Sequence, residues 1–119
     1  MKSLFLSVPC IVLIVLTATV SAAFAEPDTD FAKANDQFAK GEFKEAIQGY
    51  ESMVQSKQWS VPLFYNLGNA YFRAGDYGRA ILNYERALAL DPRHPEAAAN
   101  LALVREEARA LRGFRQLGG

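Results

Sequence analysis

One stretch of this chain is written twice. Gly41 to Glu51 reads GEFKEAIQGYE, Gly75 to Glu85 reads GDYGRAILNYE, and the glycine, the aromatic ring, Ala, Ile, Tyr and Glu recur each time at an offset of 34 residues. The register extends outward: Ala34 pairs with Gly68, Asn35 with Asn69, and Asn66-Leu67-Gly68 with Asn100-Leu101-Ala102. A fixed period of this length marks a supersecondary unit too small to bury its own apolar face, so that neighbouring units must stack to make a core. The units run over 26–60 and 61–94, with an incomplete third from Pro95.

Inside a unit the apolar residues fall at helical spacing. Phe64, Leu67, Gly68, Tyr71 and Phe72 make one face; Tyr77, Ala80, Ile81, Tyr84, Ala87 and Leu88 make a second. Gly75-Asp76 separates them, the glycine able to take a positive φ and the aspartate placed to cap the following helix. Ser60 with Pro62 opens a helix, LDPRHPE closes one at Asp91-Pro92, and Pro95 starts the next. His94 precedes a proline, which moves it out of the α region and into a linker or cap conformation. Each unit is therefore a helical hairpin. The last segment, 95–113, reads as a single capping helix running to about Leu111, followed by a flexible tail over 114–119.

The chain opens with one lysine, an apolar run from Leu4 to about Val20, and Ala23-Phe24-Ala25. That is the grammar of a secretory signal peptide over 1–25, cleaved before Glu26, and it predicts export to the periplasm or cell envelope. The alternative is an uncleaved segment that tethers the chain to a membrane. Cys10 is the only cysteine and lies in this leader without a lipobox around it, so the mature chain carries no thiol chemistry. Of 13 basic residues only Lys2 is removed, against 13 acidic residues that all remain, so the mature charge is close to neutral. A mixed-sign surface of this kind excludes nucleic acid, which demands a basic patch.

The spaced pattern Leu67-Gly68-x-x-Tyr71, Gly75-x-Tyr77, Ala80, Tyr84, Ala87 and Pro92 resembles the tetratricopeptide repeat. The resemblance implies an all-α fold, a short right-handed α-solenoid of helix-turn-helix hairpins with a C-terminal capping helix. Small Gly68 and Ala80 would let the two helices of a hairpin approach, and Tyr71, Tyr77 and Tyr84 would fill the space between successive hairpins. Unit one departs from the pattern, with Asp30 and Lys33 at usually large or apolar positions, Met53 for the late alanine, and no closing proline near Gln58. Arg109 replaces the turn glycine in the third unit. More narrowly, Phe64 to Ala108 is similar to the repeat region of exported BatE-type (Bacteroides aerotolerance) proteins. That likeness implies a partner among membrane proteins with von Willebrand factor A domains.

In such a solenoid the first helix of each hairpin lines a concave groove. The register then places Phe31, Asn35, Phe38, Tyr65, Asn66, Asn69, Arg73, Glu96, Asn100 and Leu103 on it. Asparagines offer a donor and an acceptor to an extended peptide backbone while aromatics supply apolar area; the same asparagines could equally bond across adjacent helices and hold the stack together. Some members of the family clamp a C-terminal carboxylate between cations, but Phe31, Tyr65 and Glu96 stand at those positions. Catalysis has no constellation here: His94 lacks a nucleophile nearby, and Asp28 to Asp30 reads as the acidic opening of a helix, with no further oxygen ligands for a metal. The sequence thus predicts a non-catalytic, cofactor-free adaptor or scaffold that binds a protein or peptide, with a self-assembling homo-oligomer as the alternative.

Overall fold

The computed structural model describes residues 29–118, so the predicted leader lies outside the described residues. Five α-helices follow one another: α1 (Thr29–Ala39), α2 (Phe43–Gln55), α3 (Val61–Arg73), α4 (Tyr77–Leu90) and α5 (Pro95–Leu117). Each packs on the next along the chain, and the first helices of successive units also touch, α1 with α3 and α3 with α5. The arrangement is a short solenoid of two hairpins, α1–α2 and α3–α4, closed by α5.

The repeated glycines make the hairpins. Gly41 and Gly75 sit at φ 80° and 83°, a region that costs an L side chain about 1–2 kcal/mol. Each ends its helix with the same pair of bonds: Gly41 N to Phe38 O (3.0 Å) with Glu42 N to Gln37 O (2.9 Å), and Gly75 N to Phe72 O (3.0 Å) with Asp76 N to Tyr71 O (2.9 Å). Asp76 then caps α4 by accepting from Arg79 N, whereas Glu42, one methylene longer at the equivalent position, makes no side-chain cap for α2. Ser60 accepts from Leu63 N at the start of α3. His94 is the N-cap of α5, its Nδ1 accepting the Ala97 N–H at 3.1 Å.

A third stop of the same form was not visible in the sequence. Lys57 N bonds to Val54 O and Gln58 N to Met53 O, ending α2 with Lys57 at φ 59°, the one non-glycine residue in that region among those described. The motif that a closing proline would have replaced is therefore built on a strained lysine. Lys57→Gly removes the Cβ clash and should stabilise the fold by roughly 0.5–1 kcal/mol, less the extra freedom glycine gains when unfolded; a rise in the urea midpoint at unchanged slope checks it.

The core is a file of small and aromatic side chains down the middle of the stack, with Tyr50, Leu63, Leu67, Tyr84 and Val104 fully buried. Gly68 is what lets α3 meet α4. A Cβ there would lie 2.8 Å from two ring carbons of Tyr84, which is 1% exposed and has no room to withdraw. Hairpin one solves the same contact with the small pair Ala34 and Gly49, whose Cβ atoms would stand 3.1 Å apart.

The Tyr77 ring meets Phe72 of its own hairpin edge to face at 5.6 Å, as Phe43 meets Phe38 at 5.3 Å, and the side chain packs on the core. One expectation is corrected. The final helix does not stop near Leu111 but runs to Leu117, into the stretch expected to be a tail. Arg112, Arg115 and Gln116 favour helix and no proline intervenes, so nothing interrupts the backbone ladder. Gly68→Ala should cost about 1–3 kcal/mol through overpacking against Tyr84, read as a lowered denaturation midpoint.

Candidate functional site

The concave face is formed by α1, α3 and the first half of α5, and asparagines fix how these helices sit. Asn35 Oδ1 accepts from the Tyr50 hydroxyl at 2.5 Å and from Asn66 Nδ2 at 3.0 Å. One period later, Asn69 Oδ1 accepts from the Tyr84 hydroxyl at 2.5 Å and from Asn100 Nδ2 at 3.0 Å. A carbonyl oxygen has two lone pairs, and each of these uses one on the second helix of its own hairpin and one on the first helix of the next unit. Asn100 Nδ2 also reaches the Tyr65 hydroxyl at 3.3 Å.

The bridges are scaffold, yet they leave half of every amide unused. Among the described residues, Nδ2 of Asn35 and Asn69 and Oδ1 of Asn66 and Asn100 have no hydrogen-bond partner within the protein, and all four side chains are half-exposed. Donors and acceptors therefore alternate along the concave face at the repeat period. Asn35, Asn66 and Asn69 border a hollow of about 130 Å³ with Phe38 and Tyr50. An adjoining hollow of about 320 Å³ is lined by Phe38, Asn69, Phe72, Arg73, Tyr84, Asn100 and Leu103. The Arg73 guanidinium lies over the Phe43 ring, 4.8 Å from its centroid, a cation held at the rim by the neighbouring hairpin.

Of the residues the sequence placed on this face, Asn35, Phe38, Asn66, Asn69, Arg73, Asn100 and Leu103 line these two hollows. Phe31, Tyr65 and Glu96 line neither. Phe31 is half-buried against the Tyr50 ring, and Tyr65 packs between Tyr84 and His94 at 6.1 and 5.2 Å. Glu96 is exposed in the first turn of α5, its carboxylate 3.7 Å from His94 Nδ1. The sequence reading missed Phe72, although Phe38 recurs there one period on, and it missed that Tyr50 and Tyr84 reach through from the second helices.

Other hollows lack the asparagine row. One of about 390 Å³ lies on hairpin one between mixed charges such as Asp30, Lys33 and Glu45 and carries no aromatic ring. Another of about 300 Å³ is lined by Val54, Trp59, Phe64, Arg86, Ala89 and Leu90, with the Trp59 indole N–H already given to Val54 O at 3.0 Å. No group of three or more metal-ligating side chains occurs among the described residues, and no helix among them is long and apolar enough to cross a membrane.

Paired helices of this length, turned by a positive-φ glycine and stacked at a 34-residue period, define a helical-repeat interaction module. The family description Tetratricopeptide repeat matches residues 61–94, which are α3 and α4 with the turns that follow each. Residues 61–94 are thus a tetratricopeptide repeat. The chain is 33% identical over 96 residues to the uncharacterized protein ycf37 of Pyropia yezoensis, covering 73% of this chain and 54% of that one. It is 29% identical over 69 residues to the photosystem I assembly protein Ycf3 of Synechococcus elongatus, covering 56% of this chain and 40% of that protein. The chain thus spans about half the length of the relatives it matches.

Burial pushes the Tyr50 phenol up to about 12 and raises that of Tyr84 as well. The folded state therefore holds these protons where the unfolded chain has lost them. Their contribution to stability is complete below pH ~10, the ordinary tyrosine value, and falls as pH rises from there through the folded values. Alkaline unfolding should begin above pH ~10, and Tyr50→Phe with Tyr84→Phe should flatten the slope of stability against pH in that window while costing about 0.5–1.5 kcal/mol each at neutral pH. Denaturant titrations at neutral and alkaline pH read both effects.

Proposed function

We propose that the protein is a non-catalytic assembly adaptor that holds an extended segment of a partner protein across its concave face. The observation that carries the reading is the periodic set of unused amide ends, Asn35 and Asn69 as donors and Asn66 and Asn100 as acceptors. An extended peptide presents N–H and C=O groups in alternation and can pair with such a row, while its side chains enter the hollow between Phe38, Phe72 and Leu103. Arg73 at the rim adds a preference for an acidic group beside the apolar one. The Synechococcus relative is by name a photosystem I assembly protein, a role of the same kind.

The leader, with Ala23-Phe24-Ala25 at its end, supports action outside the cytoplasm, in a periplasm or cell envelope. The narrower likeness to BatE-type proteins, with a von Willebrand factor A domain partner, rests on the wording of Phe64 to Ala108 alone and is not among the relatives matched. Assembly of an envelope protein complex is the reading common to the leader, the groove and the matched assembly factor.

Photoreactive residues placed at positions 73 and 103 in the native host should crosslink to one partner, while position 59, beside the separate Trp59 hollow, should not. Leu103→Asp, on a side chain 52% exposed and outside the core, should reduce that crosslink about tenfold, the equivalent of ~1.4 kcal/mol, without changing the melting transition. Labelling from position 59 alone would place the partner on the wrong surface for this reading.

A further inference from the structure

The start of the cap helix is held by a bond that depends on the charge of one ring. His94 is the only histidine of the chain and the N-cap of α5, its Nδ1 accepting the Ala97 N–H at 3.1 Å. A backbone N–H can only donate, so this nitrogen offers a lone pair and the ring is neutral, with its proton on Nε2. An imidazolium carries a proton on both nitrogens and has no acceptor. The bond to Ala97 therefore exists in one charge state and not in the other, and imidazoles change charge between about pH 5 and 8. The side chain is 23% exposed, which leaves the ring open to protons from solvent.

Partners for the charged ring are already in place. The Glu96 carboxylate lies 3.7 Å from the same Nδ1, too far for a hydrogen bond, but its side chain is 63% exposed and free to close that gap. The Tyr65 ring of α3 stands 5.2 Å from the imidazole, centroid to centroid, in the range at which an aromatic face attracts a cation. The turn after α4 adds Arg93 and Asp91, whose carboxylate accepts the Arg93 N–H at 3.2 Å. Among the described residues, Glu96 is the carboxylate in contact with Nδ1. Gain of a proton thus exchanges a helix cap for an ion pair, and it puts positive charge at a helix N-terminus, where the dipole disfavours it.

The first turns of α5 also deliver side chains to the concave face. Ala97 is fully buried, and one turn on, Asn100 gives Nδ2 to Asn69 Oδ1 at 3.0 Å and reaches the Tyr65 hydroxyl at 3.3 Å. Tyr65 touches both the capping ring and this amide, and so joins the two. We propose that His94 is a pH-operated cap: the neutral ring holds the first turn of α5 through the Ala97 N–H, and the protonated ring leaves that bond for the Glu96 carboxylate and loosens the seating of Asn100 on the concave face. The cap is complete at neutral and alkaline pH and is lost as pH falls through the imidazole range. The inference does not depend on what the groove binds.

Nuclear magnetic resonance of the untagged chain between about pH 8 and about pH 5 tests it, because the imidazole signals have a single source. At the alkaline end the nitrogen shifts should place the proton on Nε2. On acidification the Ala97 amide and the Asn100 side-chain amide should move with the ring. Protection of the Ala97 N–H, corrected for the intrinsic pH dependence of exchange, should fall about fivefold. His94→Asn supplies an acceptor that does not titrate and should hold both signals constant over this range, where ordinary carboxylates stay largely ionised. Glu96→Gln should keep the Ala97 bond at the alkaline end and lower the midpoint of the ring by about half a pH unit. A proton found on Nδ1 at the alkaline end, or an Ala97 amide indifferent to the ring's charge, overturns the proposal. An unmoved midpoint in Glu96→Gln overturns the exchange of partners, and an Asn100 amide indifferent to pH overturns the link to the groove.

Discussion

A single kind of oxygen atom ties this molecule together. Oδ1 of Asn35 and Oδ1 of Asn69 each receive a buried tyrosine hydroxyl from the second helix of the same hairpin and an amide from the first helix of the next unit. A tyrosine as buried as Tyr50 or Tyr84 must find a partner for its hydroxyl or lose on the order of 1–3 kcal/mol. Placing the acceptor where a third helix can also reach it turns that requirement into a register mark between units. Apolar contacts alone would tolerate a small rotation of α3 against α1; a shared acceptor at 2.5 and 3.0 Å does not.

A second ladder runs at the same period along another edge. Tyr71 donates its hydroxyl to Glu51 Oε1 at 2.8 Å, and one unit on, Arg105 donates Nη2 to Glu85 Oε1 at 2.6 Å. The glutamate that ends each copy of the repeated stretch is thus an acceptor for the following unit. The substitution of arginine for tyrosine explains why α5 is a cap. Arg105 and Glu106 stand where Tyr71 and Phe72 stand in unit two, so the face that would receive a further second helix is charged. Arg109 stands in place of Gly75, so the chain keeps its helical φ and continues to Leu117.

Most of the fold was legible because its devices are local. A glycine followed by an aspartate, a serine before a proline, and apolar residues at i, i+3 and i+4 act within one turn, and the structure sets helix ends at those positions. What was not legible depends on partners distant in the chain or on an unfavourable conformation. Nothing local announces that Lys57 will be held left-handed; the bonds from Lys57 N to Val54 O and Gln58 N to Met53 O that close α2 go with that conformation. Whether Tyr77 meets its own hairpin or the next depends on the angle between helices, and a period cannot give an angle. On the concave face the register recovered the asparagines together with Phe38, Arg73 and Leu103, but Phe31 and Tyr65 turn inward against Tyr50 and Tyr84, rings that belong to the second helices.

The double use of the asparagines has a consequence for how a groove of this kind can change partners. Their oxygens or amides are committed to the stack, so exchanging an asparagine alters the register of two units along with any contact it makes to a ligand. The side chains free of that commitment are Phe38, Phe72, Arg73 and Leu103. Phe38 and Phe72 pack on the core and on rings of their own hairpins, whereas Arg73 lies over the Phe43 face and Leu103 is half in solvent. If the groove holds a peptide as proposed, backbone recognition would be fixed by the same bonds that fix the fold, and Arg73 and Leu103 are the positions that could vary at little cost to stability. The repeated stretch at Gly41 and Gly75 supplies the turns, the tyrosines and the acceptor glutamates; on the proposed reading, choice of partner belongs to the helices that precede each copy and to the start of the cap.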